Sequence, residues 1–397
     1  MAIGFLMMTD YQREIQAKAR EIMERMLPFD ELRRREDLNG GVGEFPKDVQ
    51  LEFMKADLFA INMTPKYGGK GKGFVDRTAL YEAISYTDPG FAFGFRGLGD
   101  KFDAIADSHL PEDEKHKWAA KFLETKNPEV VGGSFCLTEP QAGSDATRIE
   151  TEAVYDKGND EWIINGEKCL INNSDICSYM TVFAWTDKTV SAGKGVTAFL
   201  VEKDRAGVTV LPPVKKMGLK LENVGGFKFE NVRVPSTHII GELGGGFKSA
   251  MGKLDVDRAE NVSFCLGAAQ SAVDFCKKFA NERQAFGKYI VQHEGVGFAI
   301  AEMEMKLQTA RALLFQAMEA GDRGMNLGTA LSIGTKWYGI QMCVEVAQDC
   351  IDILGGRGTL CDYPLEKVYR DLRAFPAMGG TPLIAKRTIA KTFTEKH

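Results

Sequence analysis

Histidine is scarce in this chain. Its five residues form no ligand cluster, so no metal site is expected. Cysteine is present eight times but never as Cys-x-x-Cys, which argues against zinc ribbons and a disulfide framework. Buried reduced thiols in a cytoplasmic protein are the expectation. No apolar run approaches the roughly 20 residues that a membrane helix needs, so no membrane insertion is expected. Residues 1–8 are too short and uncharged a stretch for a secretory signal. A Gly-x-Gly-x-x-Gly strand-turn-helix is missing, which leaves a nicotinamide site of the Rossmann type without support. Charge of one sign is also lacking: the net value is −5, which excludes a general nucleic-acid binder.

What is present is apolar bulk. Of 397 residues, 44% are hydrophobic, enough for a large core and two or three domains. Residues 1–131 read as a helical domain. Tyr11 to Met26 mixes charged and apolar residues at helical spacing, and glycines break the pattern at 67–73. A helix is expected from about Val75 to Tyr86. Asp88-Pro89 then reads as a helix start, with Asp capping orphan amides and Pro at the first helical position. Residues 132–240 change to short β-branched and aromatic runs between polar turns, which suggests a small β-barrel or sandwich. Residues 241–397 return to helical spacing. Val296, Ile300, Met303, Leu307, Ala310, Leu314 and Ala317 form a stripe suited to a bundle seam or subunit contact.

Five stretches carry chemical information. The first is Phe135-Cys136-Leu137-Thr138-Glu139-Pro140-Gln141-Ala142-Gly143-Ser144-Asp145, where an apolar run meets a turn rich in hydroxyls and small residues. The others are Lys168-Cys169-Leu170-Ile171-Asn172-Asn173, Leu254-Asp255-Val256-Asp257-Arg258, Glu282-Arg283-Gln284-Ala285-Phe286-Gly287 and Ile353-Leu354-Gly355-Gly356-Arg357-Gly358. In this order they closely resemble the signatures of the acyl-CoA dehydrogenase flavoproteins, over nearly the whole chain. The resemblance implies an α+β multidomain fold: an N-terminal helical domain, a middle β-barrel domain and a C-terminal four-helix bundle. It also implies FAD between the β domain and the bundle, a homotetramer and an electron-transfer flavoprotein as partner.

The resemblance assigns residues as well. Phe135, Leu137, Thr138, Gly143, Ser144, Leu170, Ile171 and Asn172 would face the flavin. Arg283, Phe286, Asp352, Gly356 and Thr381 would complete its site, partly from a neighbouring subunit. Glu294, Asp352 and Leu383 stand where close relatives often carry Gln. Ser144, Leu254, Asp255, Arg258, Gly379 and Gly380 would hold the CoA thioester, and Phe91 and Phe95 would line the acyl pocket. Many members take the α-proton with a Glu in a Tyr-Glu-Gly-Thr loop. Here that segment is Ala377-Met378-Gly379-Gly380-Thr381, and glycine cannot be a base. Two carboxylates remain as candidates. Asp257 precedes Arg258, where some relatives carry the base, and Asp88 precedes the Phe91–Phe95 segment.

The expected reaction is FAD-dependent dehydrogenation of an acyl-CoA thioester by a carboxylate base with hydride transfer to flavin N5. Gly379, with Gly90, Gly94 and Gly97 opposite, suggests a wide pocket, and Phe91, Phe93 and Phe95 offer flat apolar surface. That pocket suits an alicyclic acyl group of the cyclohexane- or cyclohex-1-ene-carboxyl type. The alternatives are a short- or branched-chain substrate, a lyase-type member, or a non-catalytic acyl-CoA binder.

Overall fold

The computed structural model describes residues 8–124, 132–325 and 328–394. Helices dominate the N-terminal part: α1 (Asp10–Met26), α2 (Phe29–Glu36), α3 (Leu38–Gly41), α4 (Lys47–Lys55), α5 (Phe74–Ser85), α6 (Pro89–Gly99), α7 (Phe102–Ala106) and α8 (Glu112–Phe122). A reciprocal cap starts α1. The Thr9 hydroxyl accepts from Gln12 N–H at 3.2 Å, and the Gln12 side chain accepts from Thr9 N–H at 3.1 Å. Ile15, Ala19, Ile22 and Met23 then bury one face of the helix. Asp88 caps α6 as its sequence indicates, accepting from Phe91 N–H at 2.6 Å with Pro89 at the first helical position.

Eight strands form the middle sheet: β1 (Gly133–Cys136), β2 (Glu152–Asp156), β3 (Glu161–Asn172), β4 (Tyr179–Trp185), β5 (Val196–Glu202), β6 (Val208–Leu211), β7 (Val224–Pro235) and β8 (Ile239–Ile240). A short helix, α9 (Ala192–Gly195), joins β4 to β5. The path runs β6-β7-β3-β2-β4-β5-β8, with β1 parallel to β4 and Phe135 opposite Thr181. β3 and β7 pair antiparallel, and their register shifts between Cys169 and Ile171. That bulge leaves Leu170 at φ +53 with its side chain 62% exposed, while Ile171 is buried.

The C-terminal part is built on α10 (Gly246–Glu282), α11 (Glu294–Asp322) and α12 (Gly328–Leu354), packed on one another. The small helices α13 (Leu365–Ala374) and α14 (Pro382–Ala390) lie against α12, and α5 leans on α10. Met303, Leu307, Ala310, Leu314 and Ala317 of the α11 stripe are buried. The helix-sheet-helix order is therefore the observed architecture. All eight cysteines are free thiols, and no described helix is long and apolar enough to cross a membrane.

Candidate active site

The β1 strand delivers the turn at 137–145. Leu137 is buried, and Thr138 C=O accepts from Cys169 N–H at 3.0 Å, tying the turn to the β3 bulge. Beneath it lies a wholly buried ion pair, Lys168 Nζ to Glu139 Oε1 at 2.7 Å. Lys168 also donates to Leu137 C=O at 3.2 Å. Glu139 further accepts from Glu150 N–H, Thr151 N–H and the Gln141 amide. Above this anchor Gly143 and Ser144 are exposed, and a Cβ on Gly143 would meet nothing within 4 Å. No described residue takes up the hydroxyls of Thr138 and Ser144. Two free hydroxyls and an open glycine on this turn, tied through Thr138 to the bulge that carries the outward Leu170, form a donor-lined shelf that fits a polar aromatic ring system such as a flavin. Phe135 lies at its root, packed on Phe183. Ile171 is buried, and Asn172 is held through its C=O by the Ser134 hydroxyl at 2.8 Å.

A second set of expected cofactor residues meets elsewhere. Arg283 and Gly356 line one cavity of about 430 Å³ with Phe279, Ile290, Leu360 and Arg357. Neither guanidinium has a carboxylate partner among the described residues, so the cavity offers two forked cations to an anion such as a pyrophosphate. Arg357 was not singled out by the sequence reading. An Arg inside a glycine-rich turn was the available signal. Phe286 stands 97% exposed at φ +51 nearby, on the turn that returns to His293. Asp352, Glu294 and Leu383 are exposed and do not line this cavity, so the Asp352 and Glu294 carboxylates do not burden it within the single chain. Thr381 caps α14, accepting from Ile384 N–H at 3.4 Å.

Four of the expected thioester residues, Asp255, Arg258, Gly379 and Gly380, lie where α10 meets the 376–381 turn. Arg258 Nε donates to Gly379 C=O at 2.8 Å, and its Nη1 pairs with Asp255 at 3.0 Å. Lys336 of α12 is buried and donates to Pro376 C=O at 2.9 Å and to Gly380 C=O. The sequence reading missed it; a lysine in an apolar helical run was the only cue. Gly379 adopts φ +61, and Gly380 is left-handed too. A Cβ at 379 would meet only Arg258 Cγ at 3.5 Å and Asn261 Nδ2 at 3.9 Å, so the space beside it is open. The Gly379 N–H has no partner among the described residues. An unpaired N–H beside open space is what a developing oxyanion requires.

Asp257 lies one turn before Asn261 on α10, on the same helix face. Its Oδ1 is 2.9 Å from Arg96 Nη1 and its Oδ2 is 3.7 Å from Lys101 Nζ. Arg96 is also 3.5 Å from Glu260, which Arg77 grips through Nε at 2.5 Å. Burial opposes charge on Asp257, but Arg96, Lys101 and Lys253 hold its carboxyl well below the usual range.

Three expectations are corrected. Asp88 is not placed to act as a base. It is 1% exposed, with one oxygen on Phe91 N–H and the other 2.5 Å from Lys367, which also pairs with Asp371. Buried in a closed ion cluster, its carboxylate is out of a substrate's reach. Phe91 and Phe95 do not line a pocket. They are buried and pack on Phe45, Phe53 and Phe59 inside the N-terminal core, while Phe93 alone turns toward Phe264 and Phe375. Gly90, Gly94 and Gly97 give no extra room, since side chains there would strike Leu219, Phe45 and Asn173. These glycines permit close packing of α6.

Comparison with known proteins accords with this arrangement. Residues 9–125, 134–232 and 244–394 match the N-terminal, middle and C-terminal domains of acyl-CoA dehydrogenase. The chain is 30% identical over 347 residues, 87% of each chain, to the probable acyl-CoA dehydrogenase fadE25 of Mycobacterium tuberculosis. Among solved structures, butyryl-CoA dehydrogenase from Megasphaera elsdenii superposes with a TM-score of 0.89 at 26% identity, covering 97% and 98% of the two chains. A chain from work on the electron transferring flavoprotein of Acidaminococcus fermentans gives 0.89 at 27%, covering 99% and 100%.

Proposed function

Given that the chain belongs to the acyl-CoA dehydrogenase family, FAD-dependent oxidoreductases acting on acyl-CoA, we propose that it dehydrogenates an alicyclic acyl-CoA of the cyclohexane- or cyclohex-1-ene-carboxyl type with Asp257 as base. One observation carries this reading. Position 379 has no side chain and open space beside it, bounded by Arg258 and Asn261 of α10, and Asp257 is the carboxylate on the same face of that helix as Asn261. A compact ring would fill the room that a loop carboxylate occupies in other members.

FAD, when bound, supplies a hydride acceptor. The Thr138 and Ser144 hydroxyls and the β3 bulge would hold its ring, and Arg283 and Arg357 its pyrophosphate, with one set coming from a neighbouring subunit. The remaining chemistry belongs to the protein. The Gly379 N–H hydrogen-bonds the thioester oxygen and acidifies the α-carbon. Arg258 keeps the turn in place through Gly379 C=O. Asp255, itself paired with Arg258, and Leu254 and Ser144 would position the CoA portion. Asp257 takes the proton. Phe298 and Met305 of α11 and Tyr338 of α12 are exposed in the single chain, which supports a homotetramer. Free cysteines support a reducing, cytoplasmic setting, and an electron-transfer flavoprotein is the proposed electron acceptor.

A short- or branched-chain ester is the second reading. It is favoured by the closed packing of Phe91 and Phe95, which removes an aromatic wall from the pocket. The test is anaerobic titration of the FAD-loaded protein with cyclohexanecarboxyl-, cyclohex-1-ene-carboxyl-, butyryl-, isobutyryl-, isovaleryl- and octanoyl-CoA, following flavin absorbance. Fastest bleaching by a ring ester supports the first reading. Preference for an open-chain ester replaces it with the second. Binding without bleaching by any ester points to lyase-type or non-catalytic behaviour.

A further inference from the structure

The base proposed above has an unusual environment for its task. A general base works best when its pKa lies near the operating pH. Asp257 faces two cations, and both hold it ionised and weakly basic. Arg96 cannot lose its proton in any accessible range. Lys101 can. It follows α6 at its C-terminal end, is 5% exposed, and its ammonium lies 5.7 Å from the centroid of the Phe135 ring at the root of the donor-lined shelf. Its stem is pressed against Gly133 of β1, beside the Tyr179 ring of β4. Lys101 therefore stands between the base and the strand that carries the shelf.

Resting on the reading of Asp257 as base, we propose that Lys101 is its proton-accepting partner, taking from the Asp257 carboxyl the proton that Asp257 removes from the substrate. The balance closes within the known chemistry. The α C–H bond breaks, its proton passes to Asp257, and its electron pair becomes the new C=C bond as hydride leaves the neighbouring carbon for FAD. Asp257 then hands the proton to the neutral Lys101 amine. The pair ends as carboxylate and ammonium, the most stable arrangement for two groups 3.7 Å apart. The ammonium returns its proton to water after product leaves.

The charges around Lys101 are consistent with this role. Asp257 and Lys253 face it from α10, Arg96 from α6 and Asp100 from the residue that ends α6. Lys253 is occupied by Asp103 at 3.2 Å. Burial pushes the Lys101 ammonium down to about 8, although Asp257 favours its charge. Loss of the Lys101 charge in turn removes one of the cations that weaken Asp257 as a base.

The test is the rate of flavin reduction in the FAD-loaded protein, measured by stopped flow with the fastest ester of the panel between pH 6.5 and 9.5. In the wild type the rate should rise with pH through a single ionisation near 8. Lys101→Arg keeps a permanent cation, and should abolish that rise and run about tenfold or more below wild type at pH 9. Lys101→Met removes cation and acceptor, and should give a flat profile slowed about 10- to 100-fold, with ester binding unchanged. A wild-type profile without the rise, or Lys101→Arg with the rise intact, overturns the proposal. Asp257→Asn separates the two readings. If it reduces flavin at the wild-type rate, the assignment of the base fails; if it is inactive while Lys101→Arg keeps the wild-type profile, only the role of Lys101 fails.

Discussion

Replacing Lys168 by methionine should loosen the turn at 137–145 before it disturbs the rest of the sheet. Lys168 and Glu139 are fully buried and 2.7 Å apart. Burial works against charge on Glu139, yet the ammonium and two backbone N–H groups keep its carboxyl below the usual range. Removing one member of such a pair costs about 3–5 kcal/mol, because the other is left charged and unpaired. The two halves of this pair are not equivalent. In Lys168→Met, Glu139 retains Glu150 N–H, Thr151 N–H and the Gln141 amide, so the low end applies, about 3 kcal/mol. In Glu139→Gln, the buried ammonium keeps only neutral acceptors, Leu137 C=O at 3.2 Å and the new amide oxygen, and loses its counter-charge, which puts the loss near the upper end, about 5 kcal/mol. The double variant removes both charges and should lie well short of the sum of the singles, with a coupling of about 2–3 kcal/mol. Urea unfolding of the FAD-loaded protein, followed by circular dichroism and by flavin fluorescence, measures all three. Losses that simply add, or a Lys168→Met variant as stable as wild type, would refute the reasoning.

Asp88→Asn keeps a good helix cap and breaks the contact with Lys367. It should lower stability while leaving turnover per folded molecule within about twofold, and a loss of about 10²-fold with the fold intact would restore Asp88 as a candidate base. Lys336→Met strands the C=O groups of Pro376 and Gly380, so flavin reduction should slow by about tenfold as the turn that carries Gly379 loses its anchor; an unchanged rate contradicts this. Burial opposes charge on Glu202, but hydrogen bonds from His238 and Arg205 hold its carboxyl down at about 2. Its folded value lies below the unfolded one, so its stabilisation is complete above about pH 4.5 and fades as pH falls toward 2. Glu202→Gln should flatten acid unfolding in that window, and identical acid midpoints would exclude the effect.

Local signals were legible in the chain wherever they act over a few residues. The Asp88-Pro89 start of α6, the α11 stripe and the alternation of helices and strands follow from capping, 3.6-residue periodicity and β-branched runs, which need no knowledge of distant partners. The motif residues Thr138, Ser144, Arg258 and Gly379 were legible for the same reason, since each sits in a contiguous signature. Sequence also showed that Gly379 cannot be a base and that Asp88 and Asp257 were the carboxylates to weigh.

Only tertiary structure shows how differently those two are surrounded. A carboxylate's basicity and access depend on what stands within a few ångströms of it, and those groups come from far along the chain. Lys367, 279 positions away, closes over Asp88. Arg96 and Lys101, brought by α6 against α10, pair with Asp257 and hold it ionised. The same packing turned Phe91 and Phe95 inward among Phe45, Phe53 and Phe59 and made close-fitting joints of the glycines between them. Spacing along a helix tells which residues share a face; which neighbour that face meets is decided by the long-range burial of apolar surface.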